Sequence, residues 1–497
     1  MKRARRGMRS MVVAVAGCTI AATALSGLAG LSALSGAQAA SLGPTVKLIA
    51  AQSKITVFEF GGRVFLDPGI YVASLTSALE LRVARASHSK HMTIRQIIHL
   101  PDGSTLARPL PPTTLNGWQG LRNFLHVTVR NSSGTVVVSR QQTFCPNTYD
   151  PQRVSPDSPD TSPYPQVCAA IDPFQQGMVW GVERNWAVDS FERFGSVYRL
   201  SPGTYRLTAT IGRTYARLFS IAARNATASV TVRVVKAPWC CGFAAARADR
   251  ARGGMLSPAP VVPDLASPPN AVRPDLAALP SWGINTSHTR SGHDLLAFGA
   301  TVWVGGNSPL DVEGFRINGS PTMQAYQYFW RDGQVVGRVR AGTMGFDSGS
   351  DHNHWHFRQF AQYRLLNSTK TLAVRSHKQG FCIAPTDPVN LLLPHAVWQP
   401  TFTGFGGACG SPAALWVREF MPVGWGDTYF QYVAGQSFNI TKLRNGTYYI
   451  EVIANPLRVL RETTTRNDVS LRKVILGGTR GHRTVKVPTW HGIDREH

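Results

Sequence analysis

The sequence predicts an all-β protein with a β-sandwich-like N-terminal half and a second β-rich half. Leu125–Arg130 and Ser229–Val235 alternate apolar and polar residues, as half-buried strands do. A turn-then-strand phrase recurs at 68–71, 202–207 and 445–450, each with a glycine in the turn and a tyrosine at the start of the following strand. Segments with the period of a long helix are not evident.

The chain of 497 residues is long enough for more than one core. A stretch rich in Ala, Arg and Pro and poor in β-branched residues separates the two β-rich halves, which is typical of a linker or a surface strap. The predicted order is a signal peptide (1–40), an N-terminal β-rich domain (41–240), a linker (241–280), a second domain (281–476) and a basic tail (477–497).

The first 40 residues have the composition of an export signal. A basic start is followed by an apolar run and by Ala37-Gln-Ala39, a small-x-small cleavage site. An uncleaved anchor over Met11–Leu34 is the alternative, but its Ala, Gly, Ser and Thr content makes it weakly hydrophobic. We therefore expect a secreted or cell-envelope protein with no transmembrane span after signal removal.

Six cysteines follow the predicted signal, and an even number in an exported chain favours disulfides over a metal cluster. They comprise two separated pairs, Cys145 with Cys168 and Cys382 with Cys409, and the adjacent Cys240 and Cys241, for which the sequence suggests no partner.

The formal net charge of +24 is concentrated before residue 281, because the chain from Ser281 onward has 22 Lys and Arg against 14 Asp and Glu. Such a surplus favours anionic surroundings, such as a cell-wall polymer or acidic lipids, and is screened by salt. The basic residues are scattered, and no stripe with interleaved aromatic residues indicates nucleic acid.

Three histidines, His352, His354 and His356, occur at alternate positions. In a strand their imidazoles would share one face, and Trp355 and Phe357 would face the core. Three imidazoles with open coordination positions are typical of a metal centre, and copper, zinc, iron and nickel all accept such ligands. A solvated edge strand, or a purely structural zinc site, is the alternative.

Two further motifs follow the histidines: Ser376-His-Lys-Gln-Gly-Phe-Cys382 and Gly424-Trp-Gly-Asp-Thr-Tyr429. With the histidines, Phe360–Tyr363, Gly435–Ile440 and Asn455-Pro456, they resemble the catalytic domain of the lysyl oxidase family, specifically its bacterial members, over about residues 274–468. The resemblance implies a lysyl oxidase-like β-sandwich for the second domain.

The resemblance also implies a copper-dependent amine oxidase. It makes His352, His354 and His356 the copper ligands, and Lys378 and Tyr429 the pair that forms the organic cofactor lysyl tyrosylquinone. The expected reaction converts a primary amine or a protein lysine, with molecular oxygen, into an aldehyde, ammonia and hydrogen peroxide. Independently, a phenol beside copper and oxygen can be oxidised, and a neutral lysine amine can add to the product.

Other residues have weaker expected roles. Asp427 would be the base or orient the ring, or it would only cap its turn. His377 would be a neighbour that orients the cofactor residues. A Cys382–Cys409 bridge would attach the segment that carries Lys378 to the next segment of the chain. The resemblance also suggests a calcium ion held by hard oxygen ligands, although the same residues would serve equally as solvated turn residues. These candidate ligands are Asp275, Glu462, Asn467 and Asp468.

Two other functions use the same histidines. A mononuclear zinc hydrolase would need a carboxylate as general base, and Asp351, the acidic residue beside the histidines, would point away from them in a strand. A non-catalytic copper-binding or wall-binding protein would hold the metal without forming the quinone. Metal analysis separates the first alternative from the oxidase, and amine-dependent peroxide separates the second.

Overall fold

Alternating burial along short strands organises the chain, as in Gly203–Ile211, where inward residues are buried and outward ones are not. The computed structural model describes residues 43–148, 151–191, 196–236, 259–316, 320–347, 354–376, 378, 380–400, 409–410 and 414–493. Among these residues the regular secondary structure is nearly all strand, so the predicted all-β class is confirmed. The predicted signal peptide, Cys240, Cys241, Asp351, His352 and His377 lie outside the described residues.

Fifteen strands are described before residue 237. They are β1 (Val46–Ala50), β2 (Lys54–Phe60), β3 (Arg63–Leu66), β4 (Ile70–Ser74), β5 (Leu79–Arg85), β6 (Met92–His99), β7 (Thr105–Leu110), β8 (Leu121–Asn131), β9 (Val136–Phe144), β10 (Gln152–Arg153), β11 (Gly177–Val182), β12 (Trp186–Asp189), β13 (Ser196–Tyr198), β14 (Gly203–Ile211) and β15 (Thr227–Lys236). They form sheets ordered β1-β4-β12-β10, β11-β5-β6-β7 and β13-β3-β2-β15-β14-β8-β9. Both segments that the sequence predicts as strands are confirmed, within β8 and β15.

Sixteen strands are described after residue 258. They are β16 (Pro274–Ala278), β17 (Trp282–His288), β18 (Asp294–Gly306), β19 (Leu310–Arg316), β20 (Thr322–Arg331), β21 (Gln334–Asp347), β22 (His354–Phe357), β23 (Ala361–Leu366), β24 (Leu372–Arg375), β25 (Asp387–Pro388), β26 (Trp416–Met421), β27 (Trp425–Tyr429), β28 (Ser437–Asn439), β29 (Gly446–Ala454), β30 (Val469–Thr479) and β31 (His482–Lys486). Part of the predicted linker is thus β16, and part of the predicted tail is β31, which pairs with β30.

Three sheets form from these later strands. The histidine sheet has the order β22-β21-β20-β19-β26, and the tyrosine sheet has the order β16-β18-β27-β25, with β17 and β28 also pairing with β18. The third has the order β24-β23-β29-β30-β31.

Helices are short in the described part of the chain. The α-helix α1 spans Arg213–Leu218, and 3-10 turns span Pro112–Thr114, Gly117–Gln119, Ala223–Asn225 and Asn270–Val272. No helix within the described ranges is long and apolar enough to cross a membrane.

The two β-rich halves belong to one compact unit over residues 43–497. A loop of the N-terminal half lies beside the tyrosine sheet, where the Gln176 amide donates to the Val389 carbonyl at 2.7 Å and the Leu391 amide donates to the Gly177 carbonyl at 3.0 Å. The Cys145–Cys168 disulfide joins β9 to this loop region. The N-terminal half therefore supports the sheet that carries Tyr429.

Candidate active site

The described histidines lie on β22, the edge strand of the histidine sheet. β22 is antiparallel to β21, with His354 opposite Asp347 and His356 opposite Gly345. Trp355 and Phe357 are 1% and 0% exposed, respectively, and belong to the main core. Trp355 and Phe357 therefore face the core as predicted, although His356 between them is also buried, at 5% exposure.

The two described imidazoles lie next to each other, one edge-on to the other. The ring centroids of His354 and His356 lie 4.7 Å apart at an interplanar angle of 75°, as expected for residues two apart on one strand. The Asp347 carboxylate lies 3.6 Å from His356 Nδ1, a position from which it can orient that ring. The described residues include no group of three His, Cys, Asp or Glu side chains placed to hold a metal, but His352 lies outside them. Two adjacent imidazoles are nevertheless a donor set that suits copper or zinc.

The lysine motif packs directly on this strand. Backbone hydrogen bonds join Phe357 and Phe381 in both directions, at 2.9 and 3.1 Å. At Gly380, a Cβ atom would lie only 2.8 Å from the Cβ of His356 and 3.1 Å from its Nδ1. Glycine at position 380 therefore allows the lysine motif to approach the histidine.

Lys378 is buried and points at the tyrosine. Its Nζ lies 4.3 Å from the centroid of the Tyr429 ring and 5.2 Å from that of Phe381. Burial lowers the pKa of Lys378 to about 8, against an opposing attraction from Asp427 and Asp347. The pair that the sequence separates by 51 positions is thus in direct contact in the fold.

Local structure fixes the Lys378 backbone. Its amide donates to the Ser376 hydroxyl at 3.1 Å, and that hydroxyl donates to the Gly435 carbonyl at 2.9 Å. Gly435 has a φ of +83°, and a Cβ atom there would lie 3.0 Å from the Cβ of Lys378. Gly435 therefore combines a left-handed turn with a close approach to the lysine.

Tyr429 is held by the segment that carries the disulfide. Its hydroxyl accepts from the Cys382 amide at 3.1 Å and donates to the Cys382 carbonyl at 3.2 Å. Its ring stands edge-on to Phe381, with the centroids 5.2 Å apart. Burial, and then repulsion from Asp427, raises the pKa of Tyr429 well above its usual value. The Cys382–Cys409 disulfide expected from the resemblance is present and clips this segment.

Two buried carboxyl groups lie near the Lys378–Tyr429 pair. Asp427 shares a face of β27 with Tyr429, and burial raises its pKa well above the usual value despite attraction to Lys378. Glu419 is fully buried on β26; one oxygen accepts from the Ile383 amide at 3.1 Å, and burial, with some repulsion from Asp427, raises its pKa. Sequence reasoning did not identify Glu419, because it follows an ordinary alternating strand and belongs to no motif.

Asp387 links the N-terminal half to the tyrosine strand. Its carboxylate accepts from the amides of Ile171 and Asp172 at 2.6 and 2.9 Å, and from the Thr428 hydroxyl at 3.0 Å. Thr428 lies between Asp427 and Tyr429. Contacts from a loop more than 200 residues away thus help to fix the strand that carries both side chains.

The four candidate calcium ligands lie together between β16 and β30. Asn467 Nδ2 donates to Asp275 Oδ2 at 3.2 Å, and the Leu276 amide donates to Glu462 Oε2 at 3.0 Å. Buried oxygens of Asp275, Asn467 and Asp468 have no hydrogen-bond partner among the described residues. Burial raises the pKa of Glu462 to about 8 and that of Asp468 to about 6. These oxygens have the donor chemistry that calcium prefers, although the three carboxylates, which all lie among the described residues, are not arranged as a metal-holding group.

Comparison with known proteins gives no family. No protein-family model matches the chain, and no curated protein matches it.

Proposed function

We propose that the chain is a secreted copper- and quinone-dependent amine oxidase that acts on primary amines or on protein lysines. The observation that carries the proposal is the 4.3 Å contact between Lys378 Nζ and the Tyr429 ring. Burying an amine against a phenol inside a protein is unfavourable unless other interactions compensate. A covalent cofactor built from these two side chains gives this contact a role.

The histidines fit the metal that this activity needs. His354 and His356 present neighbouring imidazoles, and Gly380 brings the lysine motif against His356. Together with His352, they would hold copper. When bound, copper with oxygen would supply the oxidation of the Tyr429 ring, and the lysyl tyrosylquinone so formed would supply the carbonyl that accepts electrons from the amine.

Lys378 and Asp427 have distinct roles in the proposal. With a pKa of about 8, a substantial fraction of Lys378 is the neutral amine near pH 8, and its Nζ needs only a short movement to reach a ring carbon. Asp427 lies on the same strand face as Tyr429, in an environment that raises its pKa, so it can take up the proton that leaves the substrate carbon. Both side chains are buried, at 8% and 2% exposure, which limits the access of water to them.

The structural features favour this function over a zinc hydrolase that uses the same histidines. A hydrolase needs a base and a metal-bound water, and has no role for a buried lysine that contacts a partly buried tyrosine ring. Two disulfides are compatible with an extracellular location. We also propose that calcium binds the Asp275, Glu462, Asn467 and Asp468 cluster and braces β16 against β30.

Amine-dependent hydrogen peroxide release from copper-loaded, aerobically matured protein tests the function. We expect Lys378→Arg and Tyr429→Phe each to abolish peroxide release and to retain copper. Lys370→Arg and Tyr432→Phe are matched controls, because both residues lie outside the Lys378–Tyr429 contact, and both should keep full activity. Retained peroxide release in either site variant would contradict the proposal.

A further inference from the structure

One face of the seven-stranded N-terminal sheet exposes a group of large apolar side chains. Phe58, Phe60, Phe65 and Val197 are 47%, 45%, 53% and 51% exposed, respectively. Val197 lies opposite Phe65, and continuing the β2–β3 register by one pair brings Phe58 opposite Phe65. Phe60 is two residues beyond Phe58 and shares its face. These four residues, three of them aromatic, form one continuous apolar surface, which we call the aromatic patch.

The patch is not the inward side of the sheet. Val64 and Leu66 alternate with Phe65 on β3, are fully buried and belong to the main core. The strands therefore already bury one apolar face and present a second apolar face to solvent at the β13-β3-β2 end of the sheet. A contiguous exposed aromatic group on a soluble domain marks an interaction surface.

Basic side chains share this face with the aromatic patch. Arg63 lies opposite Phe60, and Arg233 lies opposite Thr56, which precedes Phe58 by two residues. The same registers bring Lys54, Arg206 and Arg130 onto this face further along the sheet. All five basic residues are exposed, and the acidic Asp67 lies at the far end of the face, just beyond β3. The face therefore combines apolar bulk with positive charge.

We propose that this aromatic and basic face binds an anionic lipid surface. Phenylalanine side chains are stabilised when they leave water and enter the apolar part of a bilayer interface, which begins within the depth of one side chain. The basic residues are attracted to anionic headgroups. A hydrated anionic polymer would satisfy the charges and leave the phenylalanines in water. A second copy of the same face would bring five basic residues against five others. The proposal is independent of the copper chemistry.

Vesicle sedimentation of the exported protein tests this inference. We expect binding to vesicles of phosphatidylglycerol and phosphatidylcholine, little binding to phosphatidylcholine alone, and weaker binding at high salt. Phe58→Thr/Phe65→Thr keeps strand-forming residues and should lower the affinity about tenfold or more, because two half-exposed aromatic rings lose their burial. Arg63→Gln/Arg233→Gln should weaken binding through charge alone.

Leu372→Thr/Leu457→Thr is the matched control. It removes two side chains that are 51% and 68% exposed in the C-terminal half, and it should bind as the unaltered protein does. The thermal midpoint is measured for every variant, and Phe60→Thr, at the end of β2, replaces the double variant if that variant fails to fold. Equal vesicle binding by the phenylalanine variant would overturn the proposal. If the unaltered protein is a dimer and the phenylalanine variant is a monomer, the face joins two copies of the chain, and the proposal is also overturned. The same holds if soluble polyglutamate fully displaces both the unaltered protein and the phenylalanine variant from the vesicles.

Discussion

Gly380→Ala tests whether the lysine motif positions His356, which we propose as a copper ligand. The added methyl group would lie 2.8 Å from the Cβ of His356 and 3.1 Å from its Nδ1, whereas ordinary contacts are 3.4–4 Å. One of the two segments must therefore move by roughly 0.5–1 Å, at a cost of about 1–3 kcal/mol in stability. Displacing a ligand that its surroundings orient lowers metal affinity about 10–100-fold. Copper content and competition with a chelator measure this loss.

Gly477→Ala is the control for this variant. Its added methyl group would meet only the Thr484 hydroxyl, in a different sheet from the histidines, so copper affinity should not change. If Gly380→Ala folds and binds copper as tightly as the unaltered protein, then contact with the lysine motif does not position His356 for the metal.

Three further predictions concern the metals and the lysine. His354→Ala should fold, because Trp355 and Phe357 keep β22 packed on the core, but it should lose copper and the quinone; full copper occupancy would show that the histidines are not the site. The rate of quinone formation should rise with pH to a plateau just above pH 8, because Lys378 must be neutral to attack and burial lowers its pKa to about 8; a rise that continues to the ordinary value of 10.5 would contradict this environment. Removing calcium should lower the thermal midpoint, because it leaves Asp275, Glu462 and Asp468 crowded without a cation; an unchanged midpoint, or an equal response in Asp468→Asn, would argue against the calcium site.

The predictable part of the fold follows from local patterns. Alternation in β8 and β15 depends only on which side of a strand is buried, so the sequence reveals it, as it reveals the two core-facing aromatic residues of β22. The export signal and the domain boundary near residue 240 stay predictions, because residues 1–42 and 237–258 lie outside the described part of the chain. The boundary near residue 280 also stays a prediction, and β16, just before it, pairs with β18, just after it.

Long-range contacts could not be predicted in the same way. The Asp387 carboxylate bonds to amides 215 and 216 positions earlier, and no local pattern marks either partner. Glu419 looks like any polar residue on an alternating strand, yet it is fully buried near Asp427. Such buried carboxyl groups depend on how the sheets pack, which a single sequence does not reveal.

The covalent state of Lys378 and Tyr429 tests the central claim most directly. Trypsin cannot cleave after a modified Lys378, so a single species should contain Ser376–Arg418 joined to Glu419–Lys442 even after cleavage at Arg418. Cys382 and Cys409 lie within the first of these peptides, so their disulfide cannot imitate the link. We predict that mass spectrometry of copper-loaded, aerobically matured protein recovers this joined species, that it reacts with phenylhydrazine, and that Lys378→Arg and Tyr429→Phe lose it. Recovery of both residues unmodified from copper-replete protein that releases peroxide would contradict the account.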